Sequence, residues 1–282
     1  MRAVKFRGDL VVEETPIPPV PKDHVLVKVK LASVSPLERG LERGNIWVEP
    51  ERVLGLEGFG NVLEAGVEVE EEEGKEVLIN SYFDGILGVT RDGTLAEYVV
   101  VPKESLAEAP DVPDYAKALA SAGALALKIA ELTSDKKTLL VGSGLTNVLA
   151  SYKLSWELPL LPWGREISFD LNYYPTTASA CTQEWDAVVV SVPEASALDT
   201  AAMCVKEGGT VYLHPLVDYS KHVFAGKKLE VVPLTPGDLV EGARLVASLP
   251  TKYLRELVEE VNELEEALTS SFSRSLVRPD AL

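Results

Sequence analysis

Two folding units in series, a β-rich one followed by a parallel α/β one, are predicted by three features of this 282-residue sequence. Short β-forming runs separated by Gly and Pro fill residues 1–112, and an Ala- and Leu-rich stretch follows Asp114. Beyond it, strand-type and helix-type segments alternate around a glycine turn, "TLLVGSGLTN", residues 138–147. The length agrees, since one domain takes roughly 100–200 residues.

The first unit reads as "RAVKF", "LVVEE", "HVLVKVKLASV", "GFGNVLEAG", "EVLINSYF" and "LAEYVVVP", a spacing of strands and turn residues that predicts a compact all-β body. "YAKALASAGALALKIAEL", Tyr115 to Leu132, predicts one long helix with Asp114 as its N-cap. "TLLVG" is the next strand, a helix starts near Leu145, and "WDAVVVSV" (185–192) and "GTVYLHP" (209–215) are strands with "EASALDTAAMCVKEG" helical between them. Continuously apolar strands alternating with helices indicate a parallel sheet buried on both faces. "DLVEGARLVASL" and "YLRELVEEVNELEEALTSSF" predict two amphipathic helices before a last strand, "RSLVR".

Net charge is −17, from 44 acidic against 27 basic residues, so a nucleic acid or an anionic membrane would meet a repelling field. The densest acidic run, closing on Glu76, reads as a solvated turn between strands. No run of about 18 apolar residues occurs, and charges in "MRAVKFRGDLVVEE" interrupt any secretory leader, which makes the expected location cytoplasmic. His24, His214 and His222 lie far apart, and Cys181 and Cys204 are too few for a Cys-rich zinc knuckle. Two Met, two Cys and the lone Gln183 suggest depletion of thermolabile residues and a thermophilic source, a setting in which a Cys181–Cys204 disulfide is compatible with the cytoplasm.

In a strand-turn-helix unit that binds a dinucleotide, the first glycine permits the turn, the second admits the pyrophosphate to the backbone and the third lets helix and strand pack closely. Gly142 and Gly144 fill the first two places, and Asn147 stands at the third, where packing rather than phosphate contact is at stake.

The whole chain resembles the medium-chain dehydrogenase/reductase family, which includes zinc alcohol dehydrogenases and zinc-free quinone reductases. The resemblance rests on "MRAVKFRGDLVVEETPIPPVPKDHVLVKVKLASVSPLERG", "VLGLEGFGNVLEAG", "GKEVLIN", "DGTLAEYVVVP", "TLLVGSG", "WDAVVVSV" and "VKEGGTVYLHP", in family order over nearly the full length. It implies a GroES-like catalytic domain over 1–112, a reduced Rossmann-type domain with a doubly wound parallel sheet over 113–246, and a return to the catalytic domain over 247–282. It also implies a small-molecule substrate and a homodimer.

The departures from the family are specific. Ser35, followed by Pro36, replaces a cysteine zinc ligand, Leu56 replaces the histidine of the G-H-E motif, and Ser121 stands near the third ligand position. Two hydroxyls and a leucine cannot supply three nitrogen, sulfur or carboxylate ligands, so no catalytic zinc is expected. The four-cysteine lobe of a structural zinc is missing from "NSYFDGILGVTRDGTLAEY". Glu57 reads as a core carboxylate paired with a basic residue. Ser35 and Tyr82 are the catalytic candidates, as polarising or proton-transferring groups, with Asp84 beside them; a turn serine and exposed loop residues are the plainer readings. Leu125 stands where the family usually has a small hydroxyl residue beside the nicotinamide.

Only about forty residues separate the glycine turn from "WDAVVV", roughly half the family's usual allotment. Two registers fit. In one, "ELPLLPW" (157–163) is the second strand and Arg165 follows it, where a 2′-phosphate of NADP would lie; Pro159 and Pro162 count against this as an interior strand. In the other, "REISFDL" is that strand and Asp170 accepts the ribose hydroxyls of NAD, at a long spacing from Gly142. A hairpin using both segments is a third option, and the balance favours Asp170. The expected cofactor-binding set is Gly142, Ser143, Gly144, Leu145, Thr146, Asp170, Ser191 and His214, with NAD or NADP undecided. The function expected is zinc-independent hydride transfer to or from a small carbonyl, quinone or enone compound; the competing expectation is a non-catalytic binding or scaffold protein.

Overall fold

The computed structural model describes residues 1–41, 46–163, 172–181, 184–216 and 226–281. In chain order the structure begins with β1 (Arg2–Phe6), β2 (Leu10–Glu14), β3 (His24–Val34), α1 (Pro36–Leu41), β4 (Glu57–Ala65), β5 (Glu76–Ile79), β6 (Tyr98–Pro102) and β7 (Leu106–Glu108). Helices α2 (Asp114–Ala118) and α3 (Ala120–Thr133) lead into β8 (Thr138–Val141), α4 (Leu145–Lys153), β9 (Leu160–Leu161), α5 (Thr177–Ala180), β10 (Trp185–Val190), α6 (Ala195–Cys204), β11 (Val205–Leu213) and β12 (Lys228–Val231). The chain finishes with α7 (Pro236–Ser248), α8 (Thr251–Leu257), β13 (Val258–Glu260), α9 (Leu264–Thr269) and β14 (Arg274–Val277). No helix among the described residues is long and apolar enough to cross a membrane.

Two compact units divide the chain, one made of residues 1–124, 234–248 and 254–282, the other of 125–233 and 249–253. The first contains a sheet in the order β13-β14-β3-β4-β5-β7, with β6 also paired to β3. Alternation in β3 buries Val25, Val27 and Val29 while Lys28 and Lys30 face out, and the buried side packs with Val62, Val77, Leu95 and Val101. The second unit contains a wholly parallel sheet in the order β12-β11-β10-β8-β9. Its central strands bury apolar side chains, Leu139, Val141, Val188, Val190, Val211 and Leu213 among them, as expected for a sheet covered on both faces.

The residues 113–246 read as one stretch in the sequence are shared between the units. Helix α7 joins the first, because Gly242 on it meets Gly123 on α3 so closely that a Cβ at Gly123 would lie 2.1 Å from the Gly242 carbonyl oxygen. Only glycine at both positions lets the two backbones approach in this way.

Three expected helices are interrupted. The stretch 115–132 breaks at Leu119, whose φ of −103° and ψ of 16° leave the helical region, and Pro113 rather than Asp114 is the N-cap of α2. Helix α6 ends at Cys204, and Val205–Glu207 open β11 instead. The stretch 253–272 is split by β13, which pairs in parallel with β14, so strand pairing overrides helix propensity in "VEE". A disulfide joins Cys181, following α5, to Cys204 at the end of α6.

Candidate functional site

Strand β8 lies inside the parallel sheet, with β9 on one side and β10, β11 and β12 on the other. Strand order therefore reverses at β8, and ligands of such sheets bind beyond the carboxyl ends of the strands at that point. Gly142 follows β8 there with φ +106°, and a Cβ on it would fall 2.7 Å from Val192 Cγ1 and 3.1 Å from Ser191 Oγ. Both the backbone conformation and the space require glycine. Ser191 and His214 end the adjacent strands: the Ser191 N–H donates to the Val141 carbonyl at 3.2 Å, and the His214 N–H to the Val190 carbonyl at 2.9 Å. His214 Nδ1 accepts from the Leu216 N–H at 3.2 Å, which places the ring proton of the neutral form on Nε2. The structure thus brings Gly142, Ser191 and His214 to one edge of the sheet.

Gly144 is the N-cap of α4 with φ −74° and ψ 169°, a conformation open to any residue, and, being glycine, it has no side chain of its own with which to cap the first turn. The N–H groups of that turn are the ones a helix leaves to a ligand or to water. Ser143, Leu145 and Thr146 are buried. Asn147, wholly buried, turns its Nδ2 back to the carbonyls of Val141 at 3.1 Å and Gly142 at 2.9 Å. Its side chain therefore fastens α4 to the end of β8 by hydrogen bonds, where a third glycine would have fastened it by close packing.

The second strand of this sheet is β9, which pairs Leu160 with Leu140 and Leu161 with Val141. It falls in "ELPLLPW", and the prolines that spoke against this segment bracket a strand of two residues instead of interrupting one. Asp170 and Arg165 lie outside the described residues.

In the first unit, a buried polar cluster occupies the positions that the family resemblance assigns to metal ligands. Ser35 donates both its N–H and its hydroxyl to Glu38 Oε2, each at 2.7 Å, and the Leu56 N–H donates to Glu38 Oε1 at 3.2 Å. Ser81 Oγ donates to the Leu56 carbonyl at 2.6 Å and lies 2.8 Å from Ser121 Oγ. Ser35, Glu38, Leu56, Ser81 and Ser121 are all buried. Among the described residues no group of three or more His, Cys, Asp or Glu side chains could hold a metal ion.

Glu57 Oε2 accepts from Arg274 Nε at 2.7 Å and from Ser33 Oγ at 3.0 Å, which supplies the basic partner expected for this carboxylate. Burial tends to discharge the Arg274 guanidinium, but the charge and hydrogen bond of Glu57 outweigh it and raise its pKa. Tyr82 is half-buried as a residue. Desolvation of its phenol, reinforced by the negative charges of Glu57 and Glu38 and opposed by Arg274, raises its pKa well above the usual value and keeps it a neutral donor. Its N–H is fixed by Asn80 Oδ1 at 2.9 Å. Asp84 is exposed with φ +48°. Leu125, on α3, is 1 % exposed.

Ser35, Tyr82 and Glu57 are named from the sequence, whereas Glu38 and Ser81, which hydrogen-bond with Ser35 and Ser121, are not. The spacing Ser35-Pro36-Leu37-Glu38 was a usable signal, because a carboxylate three residues after a serine at a helix start can reach back to its N–H.

Residues 21–111 match the alcohol dehydrogenase GroES-like domain. A Bacillus subtilis protein named as a quinone oxidoreductase is 38% identical over 93 residues, 32% of this chain and 27% of the relative. The chain spans about a quarter to a half of the length of the curated relatives it matches. An alcohol dehydrogenase from Thermus sp. ATN1 superposes with a TM-score of 0.77 at 19% identity, covering 99% of both chains. A dehydrogenase from Sinorhizobium meliloti, solved with NADP bound, does so with a TM-score of 0.72 at 19% identity and the same coverage.

Proposed function

The chain belongs to the medium-chain dehydrogenase/reductase family, and from that membership we propose that it is a zinc-independent oxidoreductase using NAD or NADP on a small carbonyl, quinone or enone compound. The observation that carries the reading is the Gly142 turn, set at the reversal of strand order and followed along the sheet edge by Ser191 and His214. The bound nicotinamide supplies the hydride chemistry, and the protein orients it. Residues 142–146 hold the pyrophosphate with the N–H groups at the start of α4, as anions are held at helix N-termini. Ser191 and His214 offer further polar groups to the cofactor. Ser35 and Tyr82 polarise or protonate the substrate oxygen, and Tyr82 suits the task because it stays protonated. The NADP held by the Sinorhizobium meliloti structure supports the class of cofactor without choosing between its two forms.

Zinc has no place in this reading: the donors at the assigned positions are two hydroxyls and a leucine, and Ser35 already gives its hydroxyl to Glu38. We keep 1–112 as the catalytic domain, 113–246 as the cofactor-domain stretch, of which 125–233 pack in the second unit, and 247–282 as the returning segment. A homodimer formed along the edge strand β12, where Val231 is exposed, completes the proposal.

The burial of Ser143, Leu145 and Thr146, together with Leu125, favours a second reading, a non-catalytic binding or scaffold protein that keeps the fold. Fluorescence and thermal-shift titrations with NADH and NADPH decide between them. Saturable binding of either is expected; no binding at about millimolar nucleotide, some thousandfold weaker than a micromolar site, would transfer the conclusion to the scaffold.

A further inference from the structure

The disulfide between Cys181 and Cys204 spans 23 positions inside the second unit. Cys204 is 2 % exposed at the end of α6, where β11 begins, while Cys181 is half-buried and follows α5. The segment that Cys181 ends, residues 172–181, begins on the outer side of β9. There the Leu160 N–H donates to the Asn172 carbonyl at 3.0 Å and the Tyr174 N–H to the Leu160 carbonyl at 2.8 Å, which sets Tyr173 in parallel beside Leu160. Further along, Thr176 and Ser179 form a capping box at the start of α5, Trp185 Nε1 donates to the Ala180 carbonyl at 2.9 Å, and the Trp185 ring meets Tyr174 edge-on. Within this segment Ala180 alone is buried, so little apolar surface holds it, and the disulfide is its covalent anchor.

What the segment supports is the glycine turn. Strand β9 is two residues long and paired with β8, and its Leu161 carbonyl accepts the Gly142 N–H at 2.9 Å. Asn172 and Tyr174 supply the hydrogen bonds on its other side. A strand so short keeps its place only through its neighbours. Direct contacts therefore run from the disulfide through α5 and Tyr174 to Leu160 and Leu161, and from there to Gly142.

We propose that Cys181–Cys204 is a redox latch on the glycine-turn edge of the parallel sheet: closed, it holds residues 172–174 against β9 and keeps Leu161 beside Gly142; reduced, it lets that segment open and weakens dinucleotide binding. The exchange is a two-electron step with a dithiol. A thiolate of the reductant attacks the more accessible Cys181 sulfur, the S–S bond breaks, and Cys204 leaves as a thiolate that takes up a proton. The second thiolate of the reductant then attacks its own sulfur in the mixed disulfide, which releases Cys181 as a thiol and leaves the reductant as a disulfide. A disulfide oxidant reverses both steps. The loss of nucleotide affinity rests on the reading in which the Gly142 turn binds NAD or NADP; the opening of 172–174 does not.

Amide hydrogen exchange of the whole protein without nucleotide, before and after treatment with dithiothreitol, tests the latch. Thiol titration of the denatured chain should find no free thiol beforehand and both cysteines free afterwards. The Leu160 and Tyr174 amides are expected to exchange at least about tenfold faster in the reduced protein, with the amides of β10 and β11 unchanged. Cys181→Ser alters the more exposed partner and leaves the buried Cys204 in place; it should exchange at the reduced rate and ignore dithiothreitol. Unchanged exchange at Leu160 and Tyr174 on reduction would overturn the proposal. So would uniform acceleration across the sheet, or thiols already free in protein purified without reductant. In parallel titrations the Kd for NADPH should rise at least about tenfold on reduction, and equal affinity in the two states would overturn the switch. Oxidised protein that binds no nucleotide would count against the oxidoreductase reading, and the exchange rates would still decide the latch.

Discussion

Arg274 and Glu57 stand 217 positions apart in the chain and meet inside the first unit, Nε to Oε2 at 2.7 Å, with side-chain exposures of 7% and 1%. The pair ties β14, at the end of the chain, to β4. Removing one partner leaves the other charge buried, which costs about 3–5 kcal/mol. Arg274→Met is expected to lower the unfolding free energy by that amount in urea titrations; a loss below about 1 kcal/mol would mean the pair is not the clasp described here.

Glu38 makes stability depend on pH in the opposite sense to most carboxylates. Its folded pKa is raised by burial, so its contribution is fully present below the unfolded value near 4.3 and is lost as pH rises through the folded value. Glu76 goes the other way: burial raises its pKa, but the hydrogen bonds and charges of Lys117 and Lys30 prevail and lower it. Wild-type Tm should therefore fall relative to Glu38→Gln as pH is raised from about 4 toward neutrality. A difference that stays constant over this range would remove the buried titration.

Elemental analysis of purified, chelator-washed protein should find no stoichiometric zinc. Ser35 and Ser121 hold each other's neighbourhood through Glu38 and Ser81, and Leu56 contributes only backbone groups. One zinc per chain would show that a different ligand set exists.

Much of the fold was legible because the pattern of each segment matched the layer it enters. The alternation in "HVLVKVKLASV" and the apolar runs of "TLLVG" and "WDAVVVSV" became β3, β8 and β10. The failures came where a partner far along the chain decides: "VEE" at 258–260 is strand because β14 lies beside it. The glycine turn was legible because only glycine serves at Gly142. Arg274 as the partner of Glu57 was hidden because nothing local marks a contact made across 217 positions.

The two glycines of the turn should fail differently. At Gly142 a Cβ meets Val192 and Ser191, and φ +106° is strained for any other residue, so Gly142→Ala should destabilise the fold itself. At Gly144 a φ of −74° and ψ of 169° put no backbone strain on a side chain, so Gly144→Val bears on phosphate approach rather than on the conformation of the turn. It should keep its Tm within a few degrees and lose measurable nucleotide binding. Unchanged nucleotide affinity in Gly144→Val would take the turn out of the site.

Asn147 settles whether the turn has been adapted or abandoned. Its Nδ2 donates to the Val141 and Gly142 carbonyls, contacts worth about 1 kcal/mol each, while its buried Oδ1 has no hydrogen-bond partner among the described residues, which offsets part of that gain. Glycine at this helical position adds up to about 1 kcal/mol of cost, so Asn147→Gly should be less stable by roughly 1–3 kcal/mol in urea titrations. Nucleotide affinity should respond much less, because the side chain bonds to the strand end and not to the N–H groups at the start of α4. A change below about tenfold, or 1.4 kcal/mol, in the Kd for NADH or NADPH is expected. If wild type binds neither nucleotide and Asn147→Gly binds one, the hydrogen-bonded fastening has closed the anion site and the chain has kept a dehydrogenase fold without its cofactor. Tight binding by wild type with Asn147→Gly neutral identifies the fastening as a substitute for the packing glycine.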